Sequence, residues 1–176
     1  MTKEEFIEYC ENRDYHITDD QYYGREFYKG KINDNLYLNR LTEIPDDFNP
    51  KVGGHLMLSS LTEIPEGFNP IVRGVLDLQN LTKLPKGFSP KVGDLCLNSL
   101  TEIPEGFNPS IKHNLILSSL ISIPKGFNPV VRGTLFLDNL REIPENWNPT
   151  NINENIHIGR FIFDIKTTIK FMNFEI

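Results

Sequence analysis

Residues 56–75 read LMLSSLTEIPEGFNPIVRGV, and the chain repeats nearly this phrase six times. Copies begin at Leu36, Leu56, Leu76, Leu95, Leu115 and Leu135, at spacings of 20, 20, 19, 20 and 20 residues, with 21 more to a degenerate seventh start at Ile156. A fixed period of this size is the mark of a solenoid, in which one short unit stacks on its neighbours because no unit can bury its apolar face alone.

Within one copy, Leu56 and Leu58 are two residues apart and share one face of a strand. Two small polar residues, Ser59 and Ser60, let the chain bend so that Leu61 and then Ile64 return to the interior. Pro65 excludes a continuing helix and holds the preceding residue extended. The position after Glu66 is Asp47, Gly67, Gly87, Gly106, Gly126 or Asn146 across the copies. Only residues that tolerate positive φ occur there, which predicts a left-handed residue closing a tight turn. A large ring always follows: Phe48, Phe68, Phe88, Phe107, Phe127 and finally Trp147. Stacked copies would place these rings in one internal column. Asn-Pro, or Ser89-Pro90 in the third copy, supplies further turn chemistry before a β-branched residue, Val52, Val72, Val92, Ile111, Val131 or Ile152. Glycines 54, 74, 93 and 133 return the chain to the next strand, with His113 and Glu154 as exceptions. The expected fold is mainly β: a right-handed solenoid of about six coils, roughly 30 Å long at the usual strand spacing.

The L-x-L pair, the leucine-bearing bend and the following I-P or L-P resemble bacterial leucine-rich repeats of the short, proline-containing kind. The resemblance covers residues 36 to about 158. One departure is that the turn asparagine of that pattern is replaced by Leu41, Leu61, Leu81, Leu100, Leu120 and Leu140, with Asn39, Asn80, Asn98 and Asn139 standing nearby. A horseshoe and a flatter triangular coil both remain open. The resemblance implies recognition of another macromolecule and not catalysis, an analogy at the level of fold.

The 176 residues suggest one domain in three parts: an N-terminal α+β cap over 1–35, the repeats over 36–155, and a β cap over 156–176. Thr2-x-x-Glu5 reads as a capping box opening a short helix to about Glu11, with Phe6, Ile7 and Cys10 on its apolar face. Short strands or a hairpin are expected between Tyr15 and Tyr28. At the other end Ile156, Ile158, Phe161, Phe163, Ile165, Ile169 and Phe171 suggest a last partial coil with a strand or hairpin, or else a dimer interface, so monomer and homodimer are both open. The formal charge of −6 is spread as −4, −3 and +1 over the three parts. That balance argues against general nucleic-acid binding, which needs basic patches. Cys10 and Cys96 have no metal-like spacing and read as free thiols in a reducing compartment. The start is acidic without an apolar run, and no stretch has the length of a membrane span, so a cytoplasmic protein is expected.

A search for chemistry returns little. Gly24–Lys31 (GREFYKGK) has five residues between its glycines instead of the four of a phosphate loop, and Ile32 where a hydroxyl is needed. His16, His55, His113 and His157 are dispersed, so neither a metal site nor a cofactor is expected. The pairs Glu43/Asp46, Glu63/Glu66, Glu102/Glu105 and Glu142/Glu145 share columns with Lys83/Lys86 and Ser122/Lys125, as a solvated face would. An enzyme would need such a pair desolvated in a cleft, and none is indicated.

The outward residue between the paired leucines is more informative. In order it is Tyr37, Met57, Asp77, Cys96, Ile116 and Phe136. Five of the six are apolar or aromatic where a solvated face would carry Thr, Lys, Glu or Gln, and Met and ring residues are enriched where proteins bind proteins. Polar columns flank the file: Asn39, Ser59, Gln79, Asn98, Ser118 and Asp138 on one side, and Asn35, His55, Val75, Asp94, Asn114 and Thr134 on the other. The blander alternative is that a terminal segment folds over this face. The expected function is a non-enzymatic module docking a protein partner through the file. A sharper alternative is a phage or mobile-element inhibitor that occludes a bacterial defence nuclease or ribonucleoprotein complex. A catalytic solenoid and an inert spacer are less well supported.

Overall fold

The computed structural model describes residues 2, 4–6, 8, 31–144, 147, 149–159 and 161–164. The molecule is a β-solenoid of about six turns built mainly from parallel strands. On one side run β1 (Lys31–Ile32), β3 (Lys51–Val52) and the first halves of β5 (Ile71–Asp77) and β6 (Lys91–Cys96). On the other run β2 (Leu36–Tyr37), β4 (Leu56–Met57), the second halves of β5 and β6, then β8 (Leu115–Ile116), β10 (Leu135–Leu137) and β11 (Asn155–Ile158). The long strands β5 and β6 join both runs into one ten-stranded sheet, while β7 (Ser110–Ile111) and β9 (Val130–Val131) pair separately. The leucines are in strict register, Leu36 on Leu56, Leu76, Leu95, Leu115, Leu135 and then Ile156. The 19-residue spacing is absorbed in one place, a register shift after Val72 where β6 is a residue shorter than β5.

Each coil turns twice around i to i+3 hydrogen bonds. The first brings the amide of the third leucine to the carbonyl of the second, as from Leu61 to Leu58 at 3.1 Å. The second brings the ring residue's amide to the proline carbonyl, as from Phe68 to Pro65 at 3.2 Å. In that turn Gly67, Gly87, Gly106 and Gly126 take φ of 79 to 83°, which is the third position of a type II turn. The backbone reason inferred from the sequence therefore holds at all four glycines.

Both turns return apolar residues inward, and the core is one continuous cluster. The rings form the expected column: Phe48, Phe68, Phe88 and Phe107 stack with centroids 6.3 to 6.5 Å apart and planes within 12°. Trp147 ends the column and donates from Nε1 to the Phe127 carbonyl at 2.8 Å, a bond that the phenylalanines below it cannot make.

At the N-terminal end the capping box is formed. The Thr2 amide donates to Glu5 Oε2 at 2.7 Å, the Glu5 amide donates to Thr2 Oγ1 at 3.2 Å, and residues 4–6 and 8 are helical. Phe6 is buried against Phe48, centroids 4.8 Å apart, so the helix sets one ring over the open end of the ring column. Ile7, Cys10 and the segment from Tyr15 to Tyr28 lie outside the described residues. At the other end β11 turns at Gly159 into β12 (Phe161–Asp164), the antiparallel edge strand of the sheet, so the hairpin expected there is present. Ile165, Ile169 and Phe171 lie outside the described residues. The closure is lopsided: Leu140 is only partly buried, and Ile143 is 41% exposed where its equivalents Ile44, Ile64, Ile103 and Ile123 are buried.

Candidate functional site

The alternation of L-x-L puts one residue of each strand on the outer face, and parallel in-register pairing lines these residues up. Tyr37 lies beside Met57, then Asp77, Cys96, Ile116 and Phe136 in successive coils. The expected file is therefore one continuous column, and β11 extends it by His157, whose ring tilts against Phe136 at 4.6 Å. Exposure along the file is uneven. Tyr37 is 38% exposed, and Met57, Cys96, Ile116 and Phe136 are half-buried. Asp77 is only 7% exposed.

Among the described residues Asp77 receives one hydrogen bond, from the Gln79 amide to Oδ1 at 3.0 Å. Burial pushes its carboxyl above the usual range, and the Gln79 amide opposes the shift without cancelling it. Burial, helped by the charges of Asp77 and Asp94, pushes the neighbouring Cys96 thiol up to about 11. At neutral pH it stays a protonated thiol, a poor nucleophile and a poor metal ligand.

The two flanking columns do more than border the file. On the side preceding the strands, the side chain of one coil accepts the backbone amide of the equivalent residue in the next. Asn35 Oδ1 accepts from the His55 amide (2.7 Å), His55 Nδ1 from Val75 (2.9 Å), Asp94 Oδ1 from Asn114 (3.1 Å) and Asn114 Oδ1 from Thr134 (2.9 Å). The bond to Val75 requires a neutral His55 with its proton on Nε2. His113 belongs to the neighbouring glycine column and sets Nδ1 3.2 Å from Asp94 Oδ2. Only Val75, which has no acceptor, interrupts this ladder. On the other side Ser59 Oγ contacts Asn39 Oδ1 at 2.9 Å and Ser118 Oγ contacts Asp138 Oδ2 at 2.7 Å.

A second ladder is built of asparagines, at a place other than the leucine bend where the leucine-rich-repeat pattern carries its own. It lies beyond the ring, at the Asn-Pro turn. Asn49 Oδ1 accepts from the Asn69 amide, Asn69 Oδ1 from Ser89 and Asn108 Oδ1 from Asn128, each at 2.5 Å. Their Nδ2 groups donate to the carbonyls of the turn glycines Gly67, Gly87 and Gly126 at 3.1 to 3.3 Å. The recurring Asn-Pro was the available signal, but as turn chemistry it gave no hint of a bond between coils. Of the asparagines nearer the leucine bend, Asn80 and Asn139 do bridge, donating to Ser59 and Ser118 carbonyls at 2.7 and 2.8 Å. Asn98 Oδ1 is enclosed with no hydrogen-bond partner.

Among the described residues no group of three or more His, Cys, Asp or Glu could hold a metal, and no helix is long and apolar enough to cross a membrane. The described residues of the acid columns, including Glu43, Glu63, Lys83, Glu102 and Glu142, are exposed, and Glu145 lies outside the described residues. His55 and His113 take part in the polar ladder. No family model, curated protein or solved structure matches the chain.

Proposed function

We propose that this solenoid is a non-enzymatic binding module that docks a protein partner on the outer face of its parallel sheet. The observation that carries the reading is the file itself: Tyr37, Met57, Cys96, Ile116 and Phe136 form an accessible apolar ridge in one line, bordered by polar columns already engaged in bonds between coils. An apolar centre with a polar rim is the anatomy of a protein interface. The L-x-L-x-x-L-x-x-I-P pattern adds the leucine-rich-repeat-like class, whose members bind partners, as an analogy of fold. In this reading the protein is a cytoplasmic binder, acting as a monomer or homodimer.

The reading is tested by changing Met57, Ile116 and Phe136 together to Glu. Their side chains face outward, so the melting temperature should stay near the wild-type value while partner capture from the native host is abolished. A collapse of stability with the substitutions would place the file in the core and end the reading. The narrower form, an inhibitor that occludes a defence nuclease, is supported when the captured partner is a nuclease or guide-RNA complex.

A further inference from the structure

Charge is distributed unevenly around the coil. Residues 36–155 contain ten Lys and Arg, yet none stands among the eighteen positions of the file and its two flanking columns. The charged residues of that face are Asp77, Asp94 and Asp138. The basic residues lie elsewhere on the coil: Lys51, Arg73, Lys91, Lys112 and Arg132 on or just after the strand segment that precedes this face, and Arg40, Lys83, Lys86, Lys125 and Arg141 on the bends and turns that follow it.

Asp77 stands in the middle of this face between Met57 and Cys96. It is a nearly buried carboxylate with one backbone hydrogen bond and no cation beside it among the described residues. Burying a charge without a counter-charge is unfavourable, and nothing in the repeat demands an acid here, because the other coils carry apolar residues at the same position. The surrounding coil breaks the pattern elsewhere as well. Val75 interrupts one ladder, Ser89 interrupts the other, and the spacing drops to 19 residues. Local departures from a repeat's own rules concentrate where function overrides packing.

Resting on the reading of this face as a binding surface, we infer that the partner is a protein segment that sets an arginine or lysine, flanked by apolar residues, over Asp77. The apolar residues of the file, Met57 and Cys96 on either side of Asp77 and Ile116 beyond Cys96, limit water around the contact, and a charge-assisted bond formed there is stronger than one on an open surface. The cation supplies a counter-charge that none of the described residues provides, so the acid acts as a selector among partners that could all cover the ridge.

The probe is a displayed library of random peptides selected on the full-length chain, with the Met57→Glu, Ile116→Glu, Phe136→Glu variant as counter-target. Peptides that survive are expected to carry Arg or Lys among apolar residues. The best of them, as a synthetic peptide, should lose at least about tenfold in affinity on Asp77→Asn or on replacing its basic residue by Gln, with little further loss when both are changed. Asn retains the oxygen that accepts from the Gln79 amide, and an undiminished melting temperature checks its fold. Face-dependent peptides without basic residues, or unchanged affinity for Asp77→Asn, would overturn the inference and leave the binding face standing. If no selected peptide depends on the face, the binding reading falls and the inference with it.

Discussion

Two residues of the third coil show most clearly how a single side chain acts here. Asp77 is held in a site that disfavours its charge. Its folded-state pKa lies above the unfolded value, so the folded form binds the proton more tightly. The contribution it makes is present at acid pH, below the unfolded pKa, and is lost as pH rises through the raised value. Asp77→Asn should therefore be more stable than wild type at neutral pH, and the difference should shrink as pH falls; paired urea titrations from pH 4 to 8 would read this directly. A difference that grows with acidity would reverse the assignment. Ser89 is the complementary case. Its side chain does not reach the Gly106 carbonyl as an asparagine amide would, and an open depression lined by residues 85–89 and 104–108 lies at that break in the ladder. Ser89→Asn should complete the ladder and stabilise the fold by about 1 kcal/mol, the usual net value of a hydrogen bond, seen as a higher urea midpoint.

At the scale of the element, the coil uses glycine for two distinct reasons, and substitution separates them. A Cβ on Gly106 would meet nothing within 4 Å, so Gly106→Ala bears only the cost of its φ of +81°, about 1 to 2 kcal/mol. A Cβ on Gly93 would stand 2.5 Å from the Arg73 carbonyl oxygen and 2.8 Å from that of Gly74. These are backbone atoms that cannot swing away. Gly93→Ala must push two coils apart and should cost clearly more than Gly106→Ala in denaturant unfolding. Equal losses would mean that the coils slide freely at this seam.

Across the whole molecule, stability comes from coil-on-coil burial, and the ends matter as much as the middle. Phe68→Ala empties a fully buried place in the ring column and should cost about 3 to 5 kcal/mol. Phe6→Ala removes the ring that covers Phe48 from outside the repeats. Its effect should be local: faster amide exchange in the first coil, between residues 36 and 56, with the amides of residues 95–115 little changed. A uniform rise in exchange along the chain would instead show that the solenoid opens as a single unit.

The repeat made most of the coil legible in advance. Which residues point inward, which carry the positive φ, and that the rings and the outward file each form a column all follow from periods of two and twenty and from the stereochemistry of Gly and Pro. These are properties of one short stretch, repeated. The structure alone decided what passes between coils: that the asparagines of Asn-Pro form a ladder, that Asn35, His55, Asp94 and Asn114 form another, that Asp77 is enclosed while Tyr37 is not, and that Ile143 is left uncovered. Hydrogen bonds and burial of this kind depend on how one coil overlaps the next across twenty residues of chain, a relation that no residue's local preference encodes.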